Sequence, residues 1–240
     1  MAEKAVLVIP ARWASTRFPG KPLVMIAGRP LIQWVWEAAT RCRRVREVVV
    51  ATDDRRIFEA VRLFGARAEL TRSDHPSGTD RMAEVAARIP ADLYVNLQGD
   101  EPTIEPAEID RLIAGIGSDP IATFRRTLAP EEATNPNVTK VVCDRRGYAL
   151  YFSRASLPFV RDVGRDVPRW AHVGIYAFRA EALRRFVRFA PGELEQAESL
   201  EQLRALENGL PMMTVPTAMR CAGVDVPEDA ARIEQILKQR

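Results

Sequence analysis

The chain is poor in lysine, histidine and cysteine, and each shortage excludes a class of protein. Of its 35 basic residues only four are lysine, at positions 4, 21, 140 and 238. Three cysteines, at positions 42, 143 and 221, lie far apart and are accompanied by only two histidines, at positions 75 and 172. These residues form neither a zinc-binding pattern nor a disulfide framework. A reducing compartment, the cytoplasm, is therefore expected.

Long apolar runs and a large excess of one charge are also missing. The longest N-terminal apolar stretch, Ala5–Ile9, is too short for a signal-peptide core, and no segment approaches the length of a membrane span. With 35 basic and 32 acidic residues the net charge is only +3, which is too even for a dedicated nucleic-acid binder. The sequence therefore predicts a soluble protein that uses neither a membrane nor a nucleic acid as partner.

The first half of the chain alternates short apolar runs with amphipathic segments. The predicted strands are Ala5–Ile9, Glu47–Ala51, Arg67–Leu70 and Asp92–Asn96. The predicted helices are Leu31–Arg41, a segment from Arg55 to Gly65 that Thr52, Asp53 or Asp54 can cap, and Thr79–Arg88. Repeated strand–helix units of this kind indicate an α/β fold with a doubly wound, mostly parallel sheet.

The second half is less regular and richer in strands. Strands are predicted at Ile121–Arg126, Thr139–Cys143, Tyr148–Ser153, Val173–Phe178 and Met212–Val215, with a hairpin turn at Asp144–Gly147 and a loop at Arg161–Arg169. Helical segments are predicted at Glu181–Phe189, Glu193–Glu207 and Pro227–Lys238. No linker separates these elements, so a single domain over residues 1–240 is expected.

Ligands of open α/β sheets bind at the carboxyl ends of the parallel strands, which directs attention to the loops there. The loop after the first strand gathers Arg12, Arg17 and Lys21 beside hydroxyl side chains and a glycine, without a P-loop or dinucleotide fingerprint. Cations and exposed backbone N–H groups would make a cradle for a polyphosphate. The alternative is an ordinary solvated surface loop. Lys21 favours the cradle because a compact point charge is retained in a chain that otherwise uses arginine.

Two further loops carry carboxylates. Asp100 and Glu101 follow a buried strand directly, and their hard oxygens would suit Mg²⁺ that also holds substrate phosphates, or one of them would simply cap the helix that starts near Pro106. Asp225 lies just before the last helix and either caps it or supplies a second metal carboxylate that converges with Asp100. In the polar loop at residues 71–81, Ser77 or Thr79 would cap a helix or form a wall against a base or sugar, and His75 is a turn residue.

Taken together, these motifs resemble those of the 3-deoxy-manno-octulosonate (Kdo) cytidylyltransferases, and they follow the family order over almost the whole chain. The resemblance implies a nucleotidyltransferase (Rossmann-like) fold with a small β-rich subregion, residues 148–179, for sugar binding and dimerisation. The matching stretches are IPARWASTRFPGKPL (9–23), ATDD (51–54), TRSDHPSGTDRMAEV (71–85), VNLQGDEP (95–102), NPNVTKVV (135–142), GYALYFSRASLP (147–158), HVGIYAFR (172–179), LEQLR (200–204) and GVDVPED (223–229).

The resemblance also implies the activity: cytidylyl transfer from CTP to the anomeric hydroxyl of Kdo, with release of pyrophosphate, for lipopolysaccharide synthesis. It assigns residues of this chain to three groups. The triphosphate is assigned to Arg12, Ser15 and Lys21, the cytidine to Arg72, Ser77, Gly78 and Gln98, and Mg²⁺ to Asp100 and Asp225. Gln98 would also touch the sugar. The resemblance further implies a homodimer, to which Leu157, Phe159, Trp170 and Phe178 could offer apolar contacts.

The acid sugar needs an anion site of its own. Arg154 can clamp a carboxylate in bidentate fashion, or it is one more surface arginine. By family match His172 faces the sugar, although the residues alone favour a strand-edge histidine, and Tyr176 lies on the same strand face as a sugar contact or a core residue. Glu198 and Gln202, spaced i and i+4 on one predicted helix, would point at sugar hydroxyls or form a solvated face. Lys140 matches a family lysine without an assigned role beyond a charge contact.

Departures from the family pattern, such as Ala171 and Val226, cluster near the sugar residues and the Asp225 loop. They keep a related acid sugar, 8-amino-Kdo or a sialic-acid-like compound, as the alternative substrate. A non-catalytic nucleotide-binding module is a further alternative, which the presence of Lys21, Asp100 and Asp225 disfavours.

Overall fold

The computed structural model describes residues 5–14, 18–162, 164–220, 222–224 and 226–239. The chain forms two compact units, one of residues 1–113 and 221–240 and the other of residues 114–220. The expectation of a single domain over residues 1–240 stays a prediction. Of the described helices, none combines the length and the apolar composition needed to cross a membrane.

The first unit is built on a parallel sheet. Its strands pair in the order β6-β1-β4-β5, and every pairing is parallel. Residues 5–9 of β1 have no exposed surface, so both faces of this strand are covered, as expected for a parallel sheet between helices. A short antiparallel ribbon, β2 with β3, was not predicted. The strands are β1 (Ala5–Ala11), β2 (Met25–Ile26), β3 (Arg29–Pro30), β4 (Val45–Thr52), β5 (Arg67–Leu70) and β6 (Leu93–Asn96).

The second unit is mostly antiparallel. Its strand β7 pairs with β11 in parallel and with β10 in antiparallel, β8 pairs with both β10 and β9, and the β8–β9 pairing confirms the predicted hairpin. The register of β10 against β7 shifts between Val173 and Tyr176, which marks a bulge. The strands are β7 (Ile121–Thr127), β8 (Lys140–Cys143), β9 (Ala149–Ser153), β10 (Trp170–Arg179) and β11 (Met212–Pro216).

The helices begin and end close to the predicted residues, with one exception. The Asp54 side chain accepts a hydrogen bond from the Arg56 N–H and so caps α2. The predicted helix at residues 193–207 is wrong, because Ser199 adopts a left-handed conformation (φ 51°) and divides it. The helices are α1 (Leu31–Thr40), α2 (Arg55–Leu63), α3 (Gly78–Arg88), α4 (Pro106–Gly115), α5 (Ala180–Phe186), α6 (Glu193–Glu198), α7 (Leu203–Glu207) and α8 (Pro227–Lys238).

Candidate active site

The loop that follows β1 is closed by a packed tryptophan. The Gly20 N–H donates to the Trp13 carbonyl oxygen, and Gly20 holds a left-handed φ of 72° against the Trp13 ring. The Arg56 guanidinium lies 3.4 Å from the centroid of that ring, and the Asp54 carboxylate accepts two hydrogen bonds from the same guanidinium. These contacts shape the loop on either side of Ser15, which lies outside the described residues.

Lys21 begins a short 3-10 helix, Lys21–Leu23, directly after this loop. Its Nζ lies 2.5 Å from Oδ2 of Asp100, a residue that follows β6. The two side chains are 14% and 30% exposed, so the pair is shielded but still accessible to a ligand. The structure therefore places together, at the carboxyl ends of two neighbouring parallel strands, the cation and the carboxylate that the sequence predicted separately.

The segment that precedes α8 approaches Asp100 through its backbone. The Val224 N–H donates to the Asp100 carbonyl oxygen at 3.0 Å, and a Cβ added to Gly223 would lie 3.4 Å from that same oxygen. Asp225, the next residue along the chain, lies outside the described residues. Val226 occupies the N-cap position of α8. Both alternatives for Asp225, helix cap and metal ligand, therefore stay predictions.

The donor chemistry at Asp100 suits a magnesium ion. Mg²⁺ binds one or two carboxylates together with substrate phosphates and keeps several waters, which asks for fewer protein ligands than a structural metal site. In the described part of the chain, His, Cys, Asp and Glu do not gather in a group of three or more that could hold a metal. The Asp100 carboxylate, which already lies beside the Lys21 ammonium group, is a donor of the type that Mg²⁺ accepts.

A cleft of about 260 Å³ opens beside the end of β1. At its floor Gly78 packs closely on Pro10, since an added Cβ would lie 3.0 Å from the Pro10 Cγ. This volume lies just below the range of ligand pockets, about 300–1,000 Å³, and suits part of a nucleotide. The cleft is lined by Pro10, Ala11, Arg12, His75, Pro76, Ser77, Gly78, Arg81 and Gln98.

Four of the residues assigned to the nucleotide line this cleft: Arg12, Ser77, Gly78 and Gln98. Arg72 does not, because its guanidinium is paired with Asp74 on the surface and its side chain is 70% exposed. The buried arginine of the cleft is Arg81, which the sequence analysis gave no role. Its sequence signals were its place at the end of the polar loop at residues 71–81 and within the matching stretch at residues 71–85.

Arg81 is held by groups from other parts of the first unit. Its Nη1 donates to Oγ1 of Thr71 at 2.5 Å and to the Arg72 carbonyl oxygen at 3.3 Å, and its Nη2 lies 3.4 Å from Oδ2 of Asp53. The residue is only 3% exposed. These contacts fix the guanidinium in the cleft wall, where it supplies a positive charge with little freedom to move.

Ser77 and His75 both have partners on α3. The Ser77 hydroxyl accepts from the Asp80 N–H at 3.1 Å and donates to Oδ2 of Asp80 at 2.7 Å, which confirms the predicted N-cap. The His75 ring nitrogen Nε2 pairs with the Glu84 carboxylate. Both residues line the cleft and contact α3, Ser77 at its first turn and His75 further along.

In the second unit, Lys140 is a buried structural cation. The residue has no exposed surface, and its Nζ donates to the carbonyl oxygens of Asn135, Val138 and Arg154 at 2.8, 2.7 and 2.5 Å. Burial lowers the pKa of this ammonium group, while the nearby Glu198 carboxylate opposes the shift. The contact expected between Lys140 and a charged group is therefore a set of hydrogen bonds to backbone carbonyl groups of three other residues.

Arg154 is likewise held by carbonyl oxygens. Its Nε donates to Glu198, Nη1 to Pro136 and Nη2 to Ser199, at 2.8, 2.9 and 3.3 Å. Ser199 takes the left-handed conformation that separates α6 from α7. Arg154 is thus tied into the fold rather than free on the surface, and its guanidinium retains N–H groups beyond these three.

The Glu198 carboxylate binds protein donors through both of its oxygens. Oε1 accepts from the Ser153 hydroxyl at 2.5 Å, and Oε2 accepts from the Arg154 N–H at 2.9 Å. Burial raises the pKa of Glu198, but these hydrogen bonds outweigh burial and leave the pKa below its usual value. Gln202 is only 6% exposed. The expectation that Glu198 and Gln202 share one helix is wrong, since Ser199 ends α6 between them.

His172 and Tyr176 lie in a line of aromatic rings along β10. The His172 ring meets Phe152 edge-on at 4.9 Å and Tyr176 at 5.5 Å, which confirms that His172 and Tyr176 share a strand face. Burial lowers the pKa of His172 to about 3 and raises the pKa of Tyr176 well above its usual value, so both rings are neutral at pH 7. Phe178 continues the line and is 2% exposed, so it is a core residue and not a dimer contact.

Comparisons with known proteins agree with this geometry. A family model described as cytidylyltransferase matches residues 6–216. A 3-deoxy-manno-octulosonate cytidylyltransferase of Geobacter sulfurreducens is 51% identical and covers 96% of this chain and 98% of its own length. The enzyme of the same name from Nitratidesulfovibrio vulgaris is 50% identical, covering 97% of this chain and 95% of its own.

Among solved structures, a CMP:2-keto-3-deoxy-manno-octonic acid synthetase complexed with CTP is 44% identical to this chain. It superposes with a TM-score of 0.94 and covers 98% of this chain and 99% of its own. The fold class predicted from the sequence, a nucleotidyltransferase-type α/β fold, is confirmed by this match. The chain belongs to the cytidylyltransferase family, and within it to the 3-deoxy-manno-octulosonate cytidylyltransferases.

Proposed function

We propose that this protein transfers the cytidylyl group of CTP to the anomeric hydroxyl of 3-deoxy-D-manno-octulosonate, which yields CMP-Kdo for lipopolysaccharide synthesis. The sugar oxygen forms a bond to the α-phosphorus of CTP and loses its proton to solvent. The bond between the α-phosphorus and the bridging oxygen to the β-phosphate breaks, and pyrophosphate leaves. Catalysis of this kind depends mainly on positioning and on neutralisation of charge.

The observation that carries the proposal is the Lys21–Asp100 pair beside a cleft that already contains Arg12 and Arg81. A nucleoside triphosphate brings several negative charges to one place, and it needs fixed cations as well as a carboxylate that can recruit a metal. Lys21 would bind the phosphates together with Arg12 and Ser15. The cleft residues Ser77, Gly78, Gln98 and Arg81 would hold the nucleoside, with Arg81 in the place that the sequence gave to Arg72.

Mg²⁺ would be held by Asp100 and Asp225 together with the CTP phosphates, where it would supply polarisation of the α-phosphate. The backbone bond from Val224 to Asp100 supports this pairing, because Val224 is the neighbour of Asp225 in the chain. Asp100 would hold the metal and Lys21 would bind the phosphates, and the two side chains already lie together in the ligand-free protein.

The acid sugar would be held by Arg154, His172, Tyr176, Glu198 and Gln202. Arg154 offers its remaining N–H groups to the sugar carboxylate, while His172 and Tyr176 present neutral polar rings. The Glu198 carboxylate orients Ser153 and the Arg154 backbone and still has lone pairs for a sugar hydroxyl. Gln98 would contact both substrates.

A homodimer in the cytoplasm belongs to the same proposal. Large apolar side chains support a contact surface in the β-rich subregion, since Phe159 is 87% exposed and Leu150 is 62% exposed. Light scattering coupled to gel filtration measures the mass in solution. A monomer at micromolar concentration would contradict the dimer, without any bearing on the reaction.

Pyrophosphate release with a panel of substrates tests the reaction. We expect release with CTP, Kdo and Mg²⁺ together, and only background release when UTP or ATP replaces CTP or when EDTA removes the metal. Parallel reactions with 8-amino-Kdo and with a sialic acid test the sugar. If either analogue were turned over as fast as Kdo or faster, the assignment of Kdo as the preferred substrate would be wrong. If folded protein released no pyrophosphate, a non-catalytic nucleotide-binding module would be favoured.

A further inference from the structure

Thr123 is buried in the second unit and lies against His172, a residue that the proposed function places at the sugar. Thr123 has no exposed surface, and its Oγ1 lies 2.9 Å from the His172 Nε2. The same oxygen lies 2.9 Å from the Ile175 carbonyl oxygen and 3.2 Å from the Val173 carbonyl oxygen. One hydroxyl group therefore meets an imidazole nitrogen and two carbonyl groups.

These distances determine which atom donates. A threonine hydroxyl has one hydrogen to donate and two lone pairs that accept, whereas a carbonyl oxygen only accepts. The hydrogen must therefore go to Ile175 or Val173, because otherwise two carbonyl oxygens would face the lone pairs of Thr123. It follows that His172 donates its Nε2–H to Thr123 and that the other ring nitrogen, Nδ1, carries no hydrogen.

The bulge in β10 creates this arrangement. The pairing of β10 with β7 shifts between Val173 and Tyr176, so Gly174 and Ile175 have no partner in the ladder, and two backbone carbonyl groups of the bulge turn towards Thr123. Bulges near functional sites commonly re-aim a side chain. Here the bulge directs the Thr123 hydrogen away from His172 and leaves Thr123 as an acceptor for the ring.

His172 is half-buried and keeps part of its surface exposed. Within the described part of the chain, His172 Nδ1 has no hydrogen-bond partner, although Nε2 has one. The ring itself is fixed by its contacts with Phe152 and Tyr176. A fixed, neutral imidazole with a bare Nδ1 accepts one hydrogen bond, and a sugar hydroxyl is the matching donor.

We propose that Thr123 is a positioning residue for sugar recognition: it holds His172 in the Nε2–H tautomer and thereby presents Nδ1 as the acceptor for a hydroxyl of the acid sugar. This inference rests on the proposed function for the identity of the ligand. The tautomer itself does not, because it follows from contacts within the second unit.

Nitrogen-15 NMR of the full-length protein tests the tautomer directly. The chain has only two histidines, so a His75→Gln variant assigns both imidazole rings. We expect His172 Nε2 to be protonated and Nδ1 to be unprotonated in the ligand-free protein, and we expect Kdo to shift the Nδ1 signal. A hydrogen on Nδ1, or an Nδ1 signal that saturating Kdo leaves unmoved in an enzyme that turns Kdo over, would overturn the proposal.

Steady-state kinetics test the consequence. Thr123→Val keeps the shape of the side chain and removes the hydroxyl, so we expect the KM for Kdo to rise about tenfold, equivalent to about 1.4 kcal/mol, while the KM for CTP stays within about twofold. Thr123→Ser keeps the hydroxyl and should restore the KM. Thr217→Val removes another buried hydroxyl of the same unit and should change neither KM.

The outcomes separate the two proposals. An unchanged KM for Kdo in folded Thr123→Val would contradict the role of Thr123, whereas absence of turnover on Kdo by wild-type protein would contradict the proposed function and leave the ligand-free tautomer standing. If Thr123→Val does not fold, the wild-type spectrum and the kinetics of Thr123→Ser still test the role of Thr123. A tenfold rise in the KM for Kdo in the serine variant, which keeps the hydroxyl, would contradict that role.

Discussion

Lys21 Nζ lies 2.5 Å from Asp100 Oδ2, although the two residues are 79 positions apart in the chain. Neither charge is fully buried, and each neutralises the other in the ligand-free protein. Such a pair holds a cation and a carboxylate in position before a ligand with phosphates and a metal binds, so less ordering is needed on binding. Substitution of either residue therefore tests the role of the pair.

Asp100→Asn should abolish turnover and leave the fold intact. The amide keeps the shape of the side chain but loses the negative charge that would recruit Mg²⁺, so we expect kcat to fall by at least about a hundredfold, the scale of a lost electrostatic contact to the transition state. Pyrophosphate release measures this, with Asp92→Asn, an exposed aspartate, as the matched control. Turnover near the wild-type rate would remove Asp100 from the metal site.

Lys21→Arg should lower kcat/KM for CTP about tenfold or more. The guanidinium keeps the charge, but its planar fork is wider than an ammonium group and is oriented differently in the shielded space beside Asp100. Lys238→Arg is the control, because Lys238 pairs with Glu234 on the exposed face of α8. Equal kcat/KM in both variants would mean that only the charge of Lys21 matters.

Gly20→Ala should impair both stability and CTP binding. Alanine strains the left-handed backbone, and its Cβ would lie 2.9 Å from the Trp13 ring, so the loop must shift. Gly65 is the matched control, since its φ is 84° and nothing lies within 4 Å of an added Cβ. We expect both alanine variants to lose about 1 kcal/mol of unfolding free energy. Only Gly20→Ala should raise the KM for CTP, and an equal KM in the two variants would count against the role of the loop.

Lys140→Met should destabilise the protein by about 3 kcal/mol in urea unfolding. Methionine fills a similar volume and removes the cost of burying a charge, but it leaves three buried carbonyl oxygens without their donor. The loss of three charge-assisted bonds outweighs the gain. Lys238→Met, at an exposed ion pair, should change the unfolding free energy by less than about 0.5 kcal/mol. Equal stability of the two variants would show that Lys140 is dispensable.

Glu132 should make stability depend on pH in acid. Two hydrogen bonds from Arg126 hold the pKa of this half-buried carboxyl at about 2, against an ordinary value of 4.5. A carboxyl group with a lowered pKa stabilises the folded state at every pH above its ordinary pKa. This stabilisation is lost as the pH falls from about 4.5 towards 2. Glu132→Gln should cost on the order of 1–2 kcal/mol at pH 7, and the difference from wild type should vanish near pH 2. Glu59→Gln, at an exposed position of α2, is the control. A difference between Glu132→Gln and wild type that persists at pH 2 would exclude this linkage.

Much of the fold could be predicted because its signals are local. The buried run in β1, the Asp54 cap of α2 and the turn before β9 each depend on neighbouring residues. The helix predicted across residues 193–207 failed for the opposite reason. Leu200 and Leu203 remain buried through the break, so the apolar pattern continues while the backbone at Ser199 does not.

The side-chain contacts of the site could be predicted only in part. Arg72 and Arg81 are chemically alike, and the choice between them depends on Thr71 and Asp53, which meet Arg81 only after folding. The sequence marked Lys140 as a family lysine but did not reveal its partners, because these are backbone carbonyl groups, which every residue possesses. Lys21 and Asp100 were both predicted as site residues, but their direct contact requires the strand order β6-β1, which the sequence does not specify residue by residue.

The bonds that hold Arg154 also have a thermodynamic consequence. An arginine side chain carries about 2 kcal/mol of rotamer entropy in water, and a flexible arginine must lose that freedom when it binds a ligand. Arg154 has already lost it in the folded protein, since its guanidinium is fixed by the carbonyl oxygens of Glu198, Pro136 and Ser199. A carboxylate that meets Arg154 therefore meets a rigid partner, and its binding free energy is not reduced by the ordering of this side chain.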